Sequence, residues 1–191
     1  MKKQICVLIA LTLCLGLFTG CRKSTAGETP TPAPSTNADY TPVSILAGTL
    51  ARYQKDDVVF YASLDMVVDL EENSDMLQTM LYVPADQIGN ITGASTVQHM
   101  NPNSFTGAVL EMKSGVDVNA FASTMRETIL NTQWMCGFPE KLLIATVSDR
   151  FVVIAYGLDN GDAPLISTFQ TRLKEAHGDS AVTIKSVDNF Q

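Results

Sequence analysis

Nucleophilic or metal-assisted chemistry in this chain would have to begin at its four cysteines and two histidines. Cys6 and Cys14 fall in an apolar N-terminal stretch, Cys21 directly follows Gly20, and Cys136 sits within Trp134-Met135-Cys136-Gly137-Phe138-Pro139. For Cys136 in that apolar turn, a buried and inert thiol is favoured over a reactive one. His99 lies near a hairpin turn and His177 near a helix end, positions that are usually solvated. Two histidines exclude a His-rich metal cluster, and a thiol–imidazole pair would need Cys136 to meet one of them. G-x-S-x-G, H-E-x-x-H, G-x-x-x-x-G-K-[ST] and C-x-x-C are all missing from the sequence. No catalytic, metal-ligating or cofactor-binding residue is therefore assigned.

Three weaker features remain. Asp65, Asp69, Glu71, Glu72 and Asp75 form the densest acidic run, but without calcium-loop spacing they read as a solvated face. Asp159-Asn160-Gly161-Asp162 also lacks that spacing; Asn-Gly signals a turn, and Asp162 is wanted as a helix cap. Trp134, the single tryptophan, could stack a ligand, although packing at a helix end is the favoured role.

The most specific pattern is N-terminal. Lys2 and Lys3 precede an apolar run from Ile5 to Phe18, and small Gly20 precedes Cys21, which is the layout of a cleavable export signal. At about 14 residues, the run is shorter than the ~20 that span a bilayer. Phe18-Thr19-Gly20-Cys21 resembles the bacterial lipobox, with Phe18 in place of the usual Leu. That resemblance implies cleavage between Gly20 and Cys21 and a diacylglycerol thioether on Cys21, where a thiolate is the nucleophile that accepts the lipid. Two acyl chains anchor stably where one is marginal. The expected location is the outer face of the bacterial cytoplasmic membrane, and the Asn90-Ile91-Thr92 sequon is accordingly discounted. With Cys6 and Cys14 removed and Cys21 lipidated, Cys136 alone is left, so no internal disulfide is expected.

From Arg22 to Asp39 the composition turns to Ser, Thr, Ala and Pro, with Pro30, Pro32 and Pro34 alternating with small residues. Such a segment has no apolar face with which to offset its ordering entropy. Its reach is on the order of 25 Å as a coil and ~60 Å as extended polyproline. The expected organisation is a leader over residues 1–20, a tether over 21–40 and one globular domain over 41–191. The net charge is −7, and loss of Lys2 and Lys3 makes it more negative, which argues against nucleic acid as a partner. A monomer is expected, with an unidentified protein or cell-envelope ligand as its partner.

Thr41 and Pro42 open a helix of about three turns whose stripe would be Val43, Leu46, Leu50 and Tyr53. Val58–Tyr61 and Met66–Leu70 are β-prone, and a short helix over Ser74–Tyr82 stops before Pro84. Ile91–Gln98 and Phe105–Met112 read as one hairpin. A helix capped by Asp117 follows, with Val118, Phe121, Ala122, Met125 and Ile129 inward. Leu142–Val147 and Phe151–Tyr156 form a second hairpin. The next helix is expected to be capped by Asp162, to face Leu165, Ile166, Phe169, Leu173 and Ala176 inward, and to stop at Gly178; Val182–Val187 could add a strand. Strand–strand–helix thus occurs twice, by duplication or by local economy. The predicted class is α+β: an antiparallel sheet of two such units, with their helices packed on one face, preceded by an N-terminal helix.

Tyr82-Val83-Pro84-Ala85-Asp86-Gln87-Ile88, Phe105 to Val118, Trp134 with Phe138-Pro139-Glu140-Lys141, and Arg150 to Gly157 together resemble the domain of unknown function 4358. That family consists largely of lipoproteins of Gram-positive anaerobes. The resemblance runs from about Leu64 to Ala176 and carries no catalytic set. It implies an extracytoplasmic lipoprotein of unassigned role. The missing catalytic constellation and the length of the tether make a non-enzymatic interaction or ligand-binding module the leading expectation, with an enzyme using Cys136 as nucleophile as the alternative.

Overall fold

A computed structural model describes residues 40–58, 68–135 and 137–190. Thr41 opens helix α1 (Pro42–Leu50) with a reciprocal cap: its hydroxyl accepts from the Ser44 N–H, and Ser44 Oγ accepts from the Thr41 N–H. A short helix α2 (Ser74–Thr79) and a 3₁₀ segment (Ala85–Asn90) lead into β1 (Ile91–Gln98) and β2 (Phe105–Met112). Then come α3 (Val118–Leu130), β3 (Lys141–Val147), β4 (Phe151–Gly157), α4 (Leu165–His177) and β5 (Val182–Asn189). The fold is α+β, with an open five-stranded sheet in the order β1-β2-β4-β3-β5 and every neighbouring pair antiparallel.

The expectation that the two amphipathic helices share one sheet face is corrected. Val118, Phe121, Met125 and Ile129 of α3 pack with Ala108, Leu110, Leu142, Ile144, Val152 and Ile154 on one face. Ile45 and Leu46 of α1 and Leu165, Ile166, Phe169 and Leu173 of α4 pack with Val109, Leu143, Ala145 and Val153 on the other. The reason is topological. β2–α3–β3 and β4–α4–β5 are crossovers between parallel strands, each stepping over one intervening strand in the same direction across the sheet. Because β2 and β4 run antiparallel, the two crossovers can share one hand only if their helices lie on opposite faces.

The local corrections are smaller. The buried face of α1 is Pro42, Ile45, Leu46 and Thr49, while Val43 and Leu50 are half-buried, so the expected stripe is rotated. Tyr40, assigned to the tether by composition, is 3% exposed and packs edge-on against Phe151. Asp117 caps α3 through the N–H groups of Asn119 and Ala120. Asp162 caps nothing: α4 starts after Pro164, and its Ser167 N–H is taken instead by Asp159 Oδ1 at 2.6 Å. Gly157 is required by close approach, since a Cβ there would lie 2.2 Å from the Ser104 carbonyl oxygen.

Candidate functional site

The loop after α3 leaves two large apolar side chains in solvent. Met135 is 79% and Phe138 69% exposed. The loop is pinned from the β1–β2 turn, where the Asn103 amide donates to the carbonyls of Met135 (3.1 Å) and Gly137 (2.9 Å). Trp134 turns inward and meets Tyr82 and Tyr156, each at 5.2 Å between ring centroids, and Phe190 at 5.5 Å in a perpendicular contact. Tyr156 is itself fixed, its hydroxyl donating to the Met80 carbonyl at 2.7 Å. The Trp134 Nε1–H is buried and has no hydrogen-bond partner.

Tyr82 reaches this stack from a left-handed backbone conformation, φ 58°, which costs a non-glycine residue on the order of 1–2 kcal/mol. Between Trp134, Phe138 and Phe190 lies a cleft of about 360 Å³ whose polar wall is Arg126, Asp188 and Asn189. Arg126 Nε donates to Asp188 Oδ2 at 2.8 Å and Nη2 to Oδ1, a two-pronged pair. The hydrogen bonds from Arg126, outweighing partial burial, hold the Asp188 carboxyl below the usual carboxylate range, and Asp188 in turn raises Arg126. Both groups stay charged across the neutral range.

A break in strand register creates the pair. Val182 and Ile184 of β5 face the α4 side, opposite Val147 and Ala145, but Ser186 lies opposite Ile144 and Asp188 opposite Leu142, on the α3 side. The extra residue, Lys185, is a β-bulge that reverses the alternation and turns Asp188 toward Arg126.

The sequence-derived candidates fare differently. Gly20, Cys21, Cys136 and Asp65 lie outside the described residues. His99 is half-buried, and its Nδ1 accepts the Asn101 N–H at 3.1 Å. The expectation of a solvated His177 is corrected: it is 4% exposed, its Nε2 lies 3.0 Å from the Ile45 carbonyl, and Tyr40 packs edge-on at 5.3 Å. Burial pushes its imidazole pKa down, the Ile45 contact opposes this, and the Arg52 charge adds to it. Asp69 and Asp75 accept neighbouring backbone N–H groups, and Glu71 and Glu72 face solvent. Among the described residues, no group of three or more acidic, cysteine or histidine side chains is arranged to hold a metal.

Ser167, Lys141 and Asp159 come together in a way sequence spacing gave no sign of. The Lys141 ammonium pairs with Asp159, and the Ser167 hydroxyl donates to the same carboxylate at 2.7 Å. Burial alone would raise the Asp159 pKa, but the bonds from Lys141 and Ser167 outweigh it and the net shift is downward. Each polar group there is consumed in fixing the start of α4, so the Ser167 oxygen has no free base beside it. No protein-family model, curated protein or solved structure matches the chain.

Proposed function

We propose that this protein is a non-enzymatic binding module, held on the outer face of a bacterial cytoplasmic membrane by diacylglycerol on Cys21, and that the Trp134–Phe138–Phe190 cleft receives its ligand. The observation that carries the reading is the cleft itself: an exposed aromatic side chain, a half-buried aromatic stack and a fixed ion pair line one concave surface. Concave, largely preformed surfaces that combine apolar faces with a few oriented polar groups are where small ligands bind. The lipobox-like Phe18-Thr19-Gly20-Cys21 supports the anchoring, and the resemblance to the family of lipoproteins points the same way. The unit organisation, two strand–strand–helix segments preceded by α1, belongs to the same proposal.

Two measurements test it. Cys21→Ser should leave the protein in the soluble fraction or as an uncleaved precursor; a variant processed and membrane-bound like the wild type would remove the anchoring half. For the cleft, a library of small neutral fragments should perturb NMR signals of Trp134, Phe138 and Phe190 more than those elsewhere. Perturbations scattered evenly over the surface would remove the binding half.

A further inference from the structure

Resting on that reading of the cleft, we propose that its ligand is a neutral saccharide chain, one ring of which lies on Phe138 with its hydroxyl rim against Arg126, Asp188 and Asn189.

Each part of the site answers a chemical need of a sugar ring. A pyranose has C–H-lined faces and a rim of hydroxyls, so it buries best where an aromatic face stands beside polar groups in roughly the ring's plane. Phe138 is 69% exposed and lines the cleft, which leaves its ring available, and Trp134 and Phe190 line the same cleft. Each sugar hydroxyl both donates and accepts a hydrogen bond, so a pair of adjacent hydroxyls needs donors and acceptors side by side. The Arg126–Asp188 fork supplies them. One nitrogen of the guanidinium, Nη1, is outside the fork, the side chain is 41% exposed, and each Asp188 oxygen keeps further lone-pair capacity beyond its bond to Arg126. The fork is already ordered by its own two bonds, so a ligand need not order it on binding.

Charge narrows the class. Among the described residues, Arg126 and Asp188 are the only charged groups that line the cleft, so it carries no net charge with which to hold an anion or a quaternary ammonium group, the ligand that aromatic cages otherwise favour. The chain as a whole is acidic, which opposes polyanionic glycans. A volume of about 360 Å³ is at the small end of ligand sites and suits a short stretch of a longer chain that continues into solvent.

The experiment uses the full-length Cys21→Ser chain, whose single tryptophan reports on the cleft. Cellotetraose, maltotetraose and chitotetraose are titrated against Trp134 emission, with tetramethylammonium and a proline decapeptide as probes of competing chemistry. At least one tetrasaccharide should give a saturable change with a Kd of about 1 mM or tighter. Phe138→Ala should weaken that binding roughly tenfold with the melting temperature unchanged, because Phe138 supports no core contact at its exposure. Arg126→Gln, checked for folding in the same way, should weaken it as well. Saturation by tetramethylammonium or the proline peptide in place of every sugar would overturn the ligand class while leaving the cleft as the binding site. If no tetrasaccharide saturates, the ligand class falls; if fragments also leave Trp134, Phe138 and Phe190 unperturbed, the cleft reading falls with it.

Discussion

His177 is the last residue of α4 and lies on the stripe begun by Leu165, Ile166, Phe169 and Leu173, four positions beyond the last of these. That periodicity places it inward, against the expectation that a position near a helix end is solvated. Because burial depresses its pKa in the fold, protonation favours the unfolded chain. Its contribution is intact above about pH 6.5 and is lost as pH falls through the lower folded value. Thermal melts at pH 7.5 and 5 should therefore show a drop for the wild type and a smaller one for His177→Gln, whose amide can still reach the Ile45 carbonyl. Equal drops would assign the acid sensitivity elsewhere. Asp57, Asp159 and Asp188 act at lower pH: their pKa values are depressed in the fold, so their stabilisation is present above about pH 3.9 and disappears as pH falls through each folded value. Met125 tests the buried face of α3. It is 0% exposed, and Met125→Asp should destabilise by several kcal/mol, since an unpaired carboxylate would face the sheet; an unchanged melting temperature would mean that α3 is placed with the wrong face inward.

Strands β1 and β2 coincide with their sequence reading because turn-rich Asn101-Pro102-Asn103-Ser104 separates two apolar runs, and α3 does so because Asp117 and a regular stripe agree. The placement of helices on both faces of the sheet is also encoded in the strands. Leu142-Leu143-Ile144-Ala145 and Phe151 to Tyr156 are unbroken apolar runs, whereas a strand with one wet face alternates. Nothing in the residue types announces the bulge at Lys185, because it arises from how β5 is laid against β3. The β3–β4 turn offers a direct test. Ser148 and Asp149 both have positive φ, 51° and 49°, the two-residue turn that matches strand twist but strains non-glycine residues. Asp149→Gly at this exposed position should raise stability by roughly 0.5–1 kcal/mol, and a lower melting temperature would contradict the turn geometry.

At the scale of the whole domain, α1 is the first element among the described residues and packs on the α4 side of the sheet. Ile45 and Leu46 are fully buried, and the segment after α1 is held to α4 by Asp57, which takes both prongs of Arg172 at 2.8 Å. A chain shortened to begin near Asp39 should melt with the longer mature protein. One beginning near Asp56 should lose roughly 1.5–3 kcal/mol for each large side chain taken out of burial. Equal melting of the two shortened chains would make α1 a passenger. Tyr40 packs on Phe151, the first residue of β4, on the α4 face, whereas Trp134 packs on Tyr156, near the far end of the same strand and on the opposite face. Five residue steps of a strand separate those two contacts, about 17 Å. Tyr40, where the described residues start, and the aromatic cleft therefore lie at opposite ends and on opposite faces of β4.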